Sequence, residues 1–202
     1  MERAYSYIII VPPAELPVSL EEVKRHLRLD EAPDPEVDAE LTLLINAATE
    51  FGQAYTKLTF VNTTYRTYRD FFECCIKLRR APFVSLEQFQ YLVDGVFIDI
   101  DQSIIYTTHD SGFSKIILKT NQSYPSNKDD QQQESILIDF IAGFGTAADV
   151  PDALKLALLN HIAALYENRG DCDQDLCKTC LPNAAKCIYS AYQIIDLYGQ
   201  CI

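Results

Sequence analysis

The chain has 202 residues, 48% of them apolar and 23% charged, with a formal net charge of −12. Those proportions are ordinary for a folded globular domain, and the acidic balance excludes a protein that coats nucleic acid, which needs clustered Lys and Arg. The longest early apolar run, Tyr7 to Val11, is too short to cross a bilayer and stops at Pro12-Pro13.

No secretory apolar segment follows Met1-Glu2-Arg3, which predicts synthesis in a reducing cytoplasm. The seven cysteines are an odd number, so they cannot all pair within the chain. Residues 1–18 read as an extended arm. Tyr5, Tyr7 and Ile8 to Val11 suit a short strand, and Pro12, Pro13 and Pro17 forbid a helix. Such an arm either lies on its own domain or reaches to a neighbour.

Ser19 and Glu22 form an S-x-x-E capping box that starts the first helix, with Val18 and Val23 placed as a hydrophobic staple. Leu20, Val23 and Leu27 are expected inside, and Lys24, Arg25 and Arg28 outside. A second helix is predicted over 36–56. Val37, Leu41, Leu44, Ile45, Ala48, Phe51 and Tyr55 follow the helical spacing. Gly52 within it is unfavourable by about 1 kcal/mol against Ala and marks a place of close packing.

From Phe60 the period changes to two. Thr63 to Phe71 alternates, with Tyr65, Thr67 and Arg69 sharing one side. Ile76 and Leu78, Phe89 to Val93, Val96 to Ile100, Ile104 to Thr107, Lys115 to Lys119 and Ser135 to Ile141 read as further short strands. Asp94-Gly95 is a hairpin turn, and Ser123 to Glu134 a solvated loop. The stretch Val150 to Gly170 is the most apolar helix of the chain. Leu154, Leu158, Ile162 and Leu165 form one stripe, and Leu156, Leu159, Ala163 and Tyr166 a second. The two stripes predict burial on several sides, by the helices 19–29 and 36–56 and by the C-terminal helix. A cysteine-rich connection follows, then a last helix over about 183–198, with Ala184, Ile188, Ala191, Ile195 and Tyr198 on one face.

This order predicts an α+β fold. A four-helix bundle is expected from residues 19–58 and 146–202, with a small antiparallel β unit, 59–145, inserted and one compact domain overall. No G-x-S-x-G, H-E-x-x-H, P-loop or G-x-G-x-x-G motif occurs. His26, His109 and His161 are far apart, and His161 lies beside an apolar stripe, as a packed core histidine would. Asp129-Asp130 falls in a loop with no apolar cradle to raise a pKa. No residue constellation here supports an enzyme. The one metal alternative is a structural zinc held by Cys172, Cys177, Cys180 and Cys187, which would make the chain a zinc-stabilised interaction module.

Several stretches resemble the head–tail connector proteins of tailed bacteriophages, the head-completion or adaptor family. They are VPPAELPVSLEEVKRHLRLD (Val11 to Asp30), DAELTLLINAATEFGQAYT (Asp38 to Thr56), IKLRRAPFVSLEQFQYLVDG (Ile76 to Gly95), Tyr124-Pro125, the AGFG segment (Ala142 to Gly145) and VPDALKLALLNHIAALYENR (Val150 to Arg169). The chain departs from the family pattern after residue 171, where the cysteine-rich loop and a longer final helix replace a short ending. The resemblance implies a structural virion protein at the head–tail junction. Its copies would form a ring, usually dodecameric, beneath the portal. The ring would extend the channel for genomic DNA without sequence-specific binding and present a surface to the next connector, stopper or tail protein. No membrane contact is implied. On this reading, partner contacts are expected at Tyr5, Tyr7, Ile188, Tyr192, Ile195 and Tyr198.

Overall fold

The structure, a computed structural model, describes residues 6–30, 32–110, 112–125, 133–168 and 181–195. Its described residues form four α-helices and eight strands in two antiparallel sheets, an α+β fold. Two compact units emerge. One comprises residues 1–13, 62–143 and 195–202, the other 14–61 and 144–194.

The first unit is β. Its five-stranded sheet runs in the order β1 (Ile8–Val11), β2 (Thr63–Arg69), β8 (Ile136–Ala142), β4 (Phe83–Val93), β5 (Val96–Asp99). A three-stranded sheet has the order β3 (Cys75–Leu78), β7 (Phe113–Leu118), β6 (Ile105–Asp110). The alternation in β2 does what the period-two pattern predicts: Thr63, Tyr65, Thr67 and Arg69 are buried and the residues between them are half-buried. Tyr65, Phe89, Ile136, Ile138 and Phe140 of the large sheet share one core with Ile76, Leu78, Ile105 and Ile116 of the small one. The two sheets thus cover each other's apolar faces, the usual solution for such surfaces. Asp94 and Gly95 both take positive φ, which suits the tight link between β4 and β5.

The second unit is helical. Helix α1 spans Leu20–Leu27 and α2 spans Pro35–Thr56. Helix α3 spans Asp152–Glu167 and α4 spans Asn183–Tyr192. The predicted capping box is present: Glu22 N–H donates to Ser19 Oγ (3.1 Å), and Ser19 N–H to Glu22 Oε2 (2.6 Å). Helix α3 packs against each of the other three, so its role as the central element of this unit holds.

Several expectations are corrected. Lys24 is buried: its ammonium donates to Ala32 O (3.0 Å) and pairs with Asp38. The outward assignment rested on charge alone, and a paired Lys can be buried. Of the two stripes on α3, only the first is deeply covered. Leu154, Leu158 and Ile162 are buried together with Ala157 and His161, whereas Leu156 is 49% exposed. Helix α4 stops at Tyr192, and Gln193–Ile195 are not helical. Gly170, the expected stop for α3, and most of the loop 123–134 lie outside the described residues.

Candidate functional site

No group of His, Cys, Asp and Glu among the described residues has metal-binding geometry. Cys172, Cys177 and Cys180 lie outside the described residues, and Cys187 is an exposed free thiol on α4. The vicinal pair behaves unequally: Cys74 is free and exposed, whereas Cys75 is disulfide-bonded. The histidines stand on α1, β6 and α3. His161 is a core residue, with its ring edge-on to Phe51 (5.1 Å) and to Tyr189 (6.2 Å). No described helix is long and apolar enough to cross a membrane.

Exposed apolar side chains occur on α4 and on the edges of the large sheet. On α4, Ala185 and Tyr189 turn inward. Tyr189 meets Tyr55 of α2 at 6.1 Å, Tyr55 Oη lies 2.9 Å from Ser190 Oγ, and Ile194 N–H donates to Thr56 O. Burial pushes the Tyr189 phenol well above its ordinary value, so it stays neutral. The face predicted to be apolar is therefore the outer one. Ile188 and Tyr192 are half-buried, Ala184 and Ala191 exposed, and Ile195 beyond the helix is 62% exposed. Sequence periodicity found an apolar stripe but could not say which of two adjacent stripes faces inward, because Tyr189 and Ala185 lie one position along from Ile188 and Ala184.

On β1 all four residues, Ile8 to Val11, are exposed. Tyr7, expected at a partner contact, is half-buried and packs against the β core. Its ring is edge-on to Tyr65 (6.5 Å) and Phe140 (6.0 Å), and its Oη accepts from Arg79 N–H (2.9 Å). Tyr5 and Tyr198 lie outside the described residues. At the far edge of the same sheet, Val96 and Ile98 of β5 are exposed as well. This second edge was missed in sequence because its residues alternate as an ordinary strand does. Only the sheet order shows that, among the described residues, no further strand pairs with it.

No protein-family model matches the chain, and no curated protein does. Solved structures do. One is a chain in the neck of an empty gene transfer agent particle, computed with C6 symmetry: 18% identity over 96% of this chain and 98% of that one, TM-score 0.79. A chain in the virion of the native gene transfer agent is similar at 19% identity over 96% and 98%, TM-score 0.77. A chain in the native particle's neck, computed with C12 symmetry, is similar at 18% identity over 98% and 99%, TM-score 0.68. At these identities the likeness establishes a shared fold from end to end.

Proposed function

We propose that this chain is a structural neck protein of a phage-like particle: a head–tail connector whose copies ring the DNA channel beneath the portal. One observation carries the reading. The chain is similar over 96% of its length to chains of a particle neck and a virion, with TM-scores up to 0.79, and the match covers 98% of those chains. The C6 and C12 symmetries belong to those necks, and a ring of this chain is consistent with them. Net charge −12 suits a conduit, since acidic walls repel phosphates instead of holding them.

The helical unit, read as a four-helix bundle, serves in this proposal as the part that docks on the portal or an adjacent subunit. The outer face of α4, with Ile188 and Tyr192, supplies the apolar contact of this unit; Tyr5, Tyr7, Ile195 and Tyr198, which belong to the β unit, are proposed as separate contacts. Other surfaces of the ring would receive a stopper or tail protein. No cofactor and no catalysis enter.

The test is a reconstruction of particles from a producing strain, paired with deletion of the coding sequence. The expected result is a ring of this chain below the portal, and DNA-filled heads without tails after deletion. Normal tailed particles after deletion, or a neck without this chain, would overturn the proposal.

A further inference from the structure

The five-stranded sheet ends on two bare edges that match each other. Among the described residues nothing pairs with the outer side of β1 or of β5. Each edge strand has four residues. Ile8, Ile9, Ile10 and Val11 on one, and Val96 and Ile98 on the other, are between 39% and 63% exposed. An edge strand with unpaired backbone groups and apolar side chains is a template for another strand.

The strand directions limit what that strand can be. Every neighbour in the sheet is antiparallel, and there are five strands, so β1 and β5 run the same way. When one copy follows the next around a rotation axis with its strands kept along the axis, β5 of one therefore meets β1 of the next in parallel. The faces also match. Ile9 stands opposite Tyr65, and Val96 and Ile98 stand opposite Val93 and Tyr91, so all three belong to the face that carries the core. Continuing the sheet places them on one side of the junction.

Charge favours the same pairing. The segment Asp94 to Asp101 holds three aspartates and no base. Beside β1, the Arg80 guanidinium lies over the rings of Tyr7 (5.7 Å) and Tyr65 (5.3 Å). An acidic edge would thus approach a basic one. A β1-to-β1 contact would bring like charges together.

We infer that β5 of one copy pairs in parallel with β1 of the next, so that the large sheets join into one belt around the ring. This deepens the ring reading and rests on it. Each junction is short, bounded by Pro12 after β1 and by the Asp94-Gly95 turn before β5. Parallel pairing is also the weaker kind. A single contact is therefore weak, and closure of the ring gives the belt its stability.

The test is photocrosslinking in assembled particles, with a benzoyl-phenylalanine in place of Val96 and, separately, of Ile10. The Val96 linker should capture residues 8–11 of another copy, the Ile10 linker residues 94–101, and each should give a ladder of covalent multimers. The variant Val96→Lys, made in the Ile10-linker chain, should lose that ladder while its melting temperature holds, since the Val96 side chain is 63% exposed. Crosslinks of β1 to β1, to a different protein only, or none from a chain that is present in the neck would overturn the pairing and leave the neck assignment standing. Absence of the chain from particles would overturn both.

Discussion

Arg66 and Asp139 stand directly opposite each other on β2 and β8 and close a bidentate ion pair, Nε to Oδ1 at 2.8 Å and Nη2 to Oδ2 at 2.7 Å. The carboxylate side chain is 4% exposed and the guanidinium 30%. The pair raises the Arg66 pKa further above a value that is already high, so Arg66 is charged at every working pH. Its geometry is the strong, forked kind.

Removing one partner should hurt more than removing both. Arg66→Ala leaves a buried carboxylate with no counter-charge and should destabilise the protein by about 2–4 kcal/mol, at the low side of the buried range because the guanidinium is partly solvated. Arg66→Met with Asp139→Leu should recover most of that loss. Urea midpoints of the parent and the two variants decide it. Equal losses in the single and double variants would show that the pair contributes through shape alone.

Lys24 makes a similar link within the helical unit. It joins α1 to the start of α2 through Asp38 and holds the intervening turn through Ala32 O. Lys24→Ala should cost about 2–3 kcal/mol, by orphaning the Ala32 carbonyl and a half-buried carboxylate. Arg25→Ala, at an exposed position on the same helix, should cost under about 0.5 kcal/mol. Thermal melts of the two variants separate a specific clasp from general loss of charge.

How far the sequence carries differs between local and non-local features. The capping box at Ser19, the Asp94-Gly95 turn and the alternation in β2 are set by residues within a few positions of one another, and each is found where its pattern places it. The inside or outside position of Lys24 depends on Asp38, which belongs to another helix. The division of the strands into a five-stranded and a three-stranded sheet depends on pairings such as β2 with β8, across more than sixty residues. That β1 and β5 are the edge strands among the described residues is a property of that order, so no window of sequence contains it.

Two glycines test close packing in opposite backbone settings. Gly52 lies inside α2, where Ala is the better helix former by about 1 kcal/mol. A methyl there would meet the buried Phe60 ring at 3.1 Å and Tyr189 Oη at 3.2 Å. Neither group has room to yield, so Gly52→Ala should be net destabilising by about 1 kcal/mol. Gly143 has φ +147, and a Cβ would lie 2.6 Å from the backbone of Asn62. Gly143→Ala should therefore cost about 2–3 kcal/mol. Calorimetric melting temperatures rank the two. A stabilised Gly52→Ala would show that the Phe60 and Tyr189 rings move aside easily.

Asp149 supplies a pH-dependent clasp before α3. Its Oδ2 accepts from Thr146 Oγ1 (2.7 Å) and Thr146 N–H (2.8 Å), and these bonds hold its pKa below the ordinary 3.8. Asp101 is lowered in the same direction by Ser103. A carboxylate whose pKa is lower when folded stabilises the protein above the unfolded value, and that contribution disappears as pH falls through the folded one. Asp149→Asn keeps an acceptor but removes the charge. The variant should melt below the parent near neutral pH, and the gap should narrow below pH 3.8 as the parent's carboxylate takes up its proton. Circular dichroism melts of both proteins across that range measure the gap. A gap that stays constant on acidification would assign the clasp to hydrogen-bond geometry and leave the charge without a role.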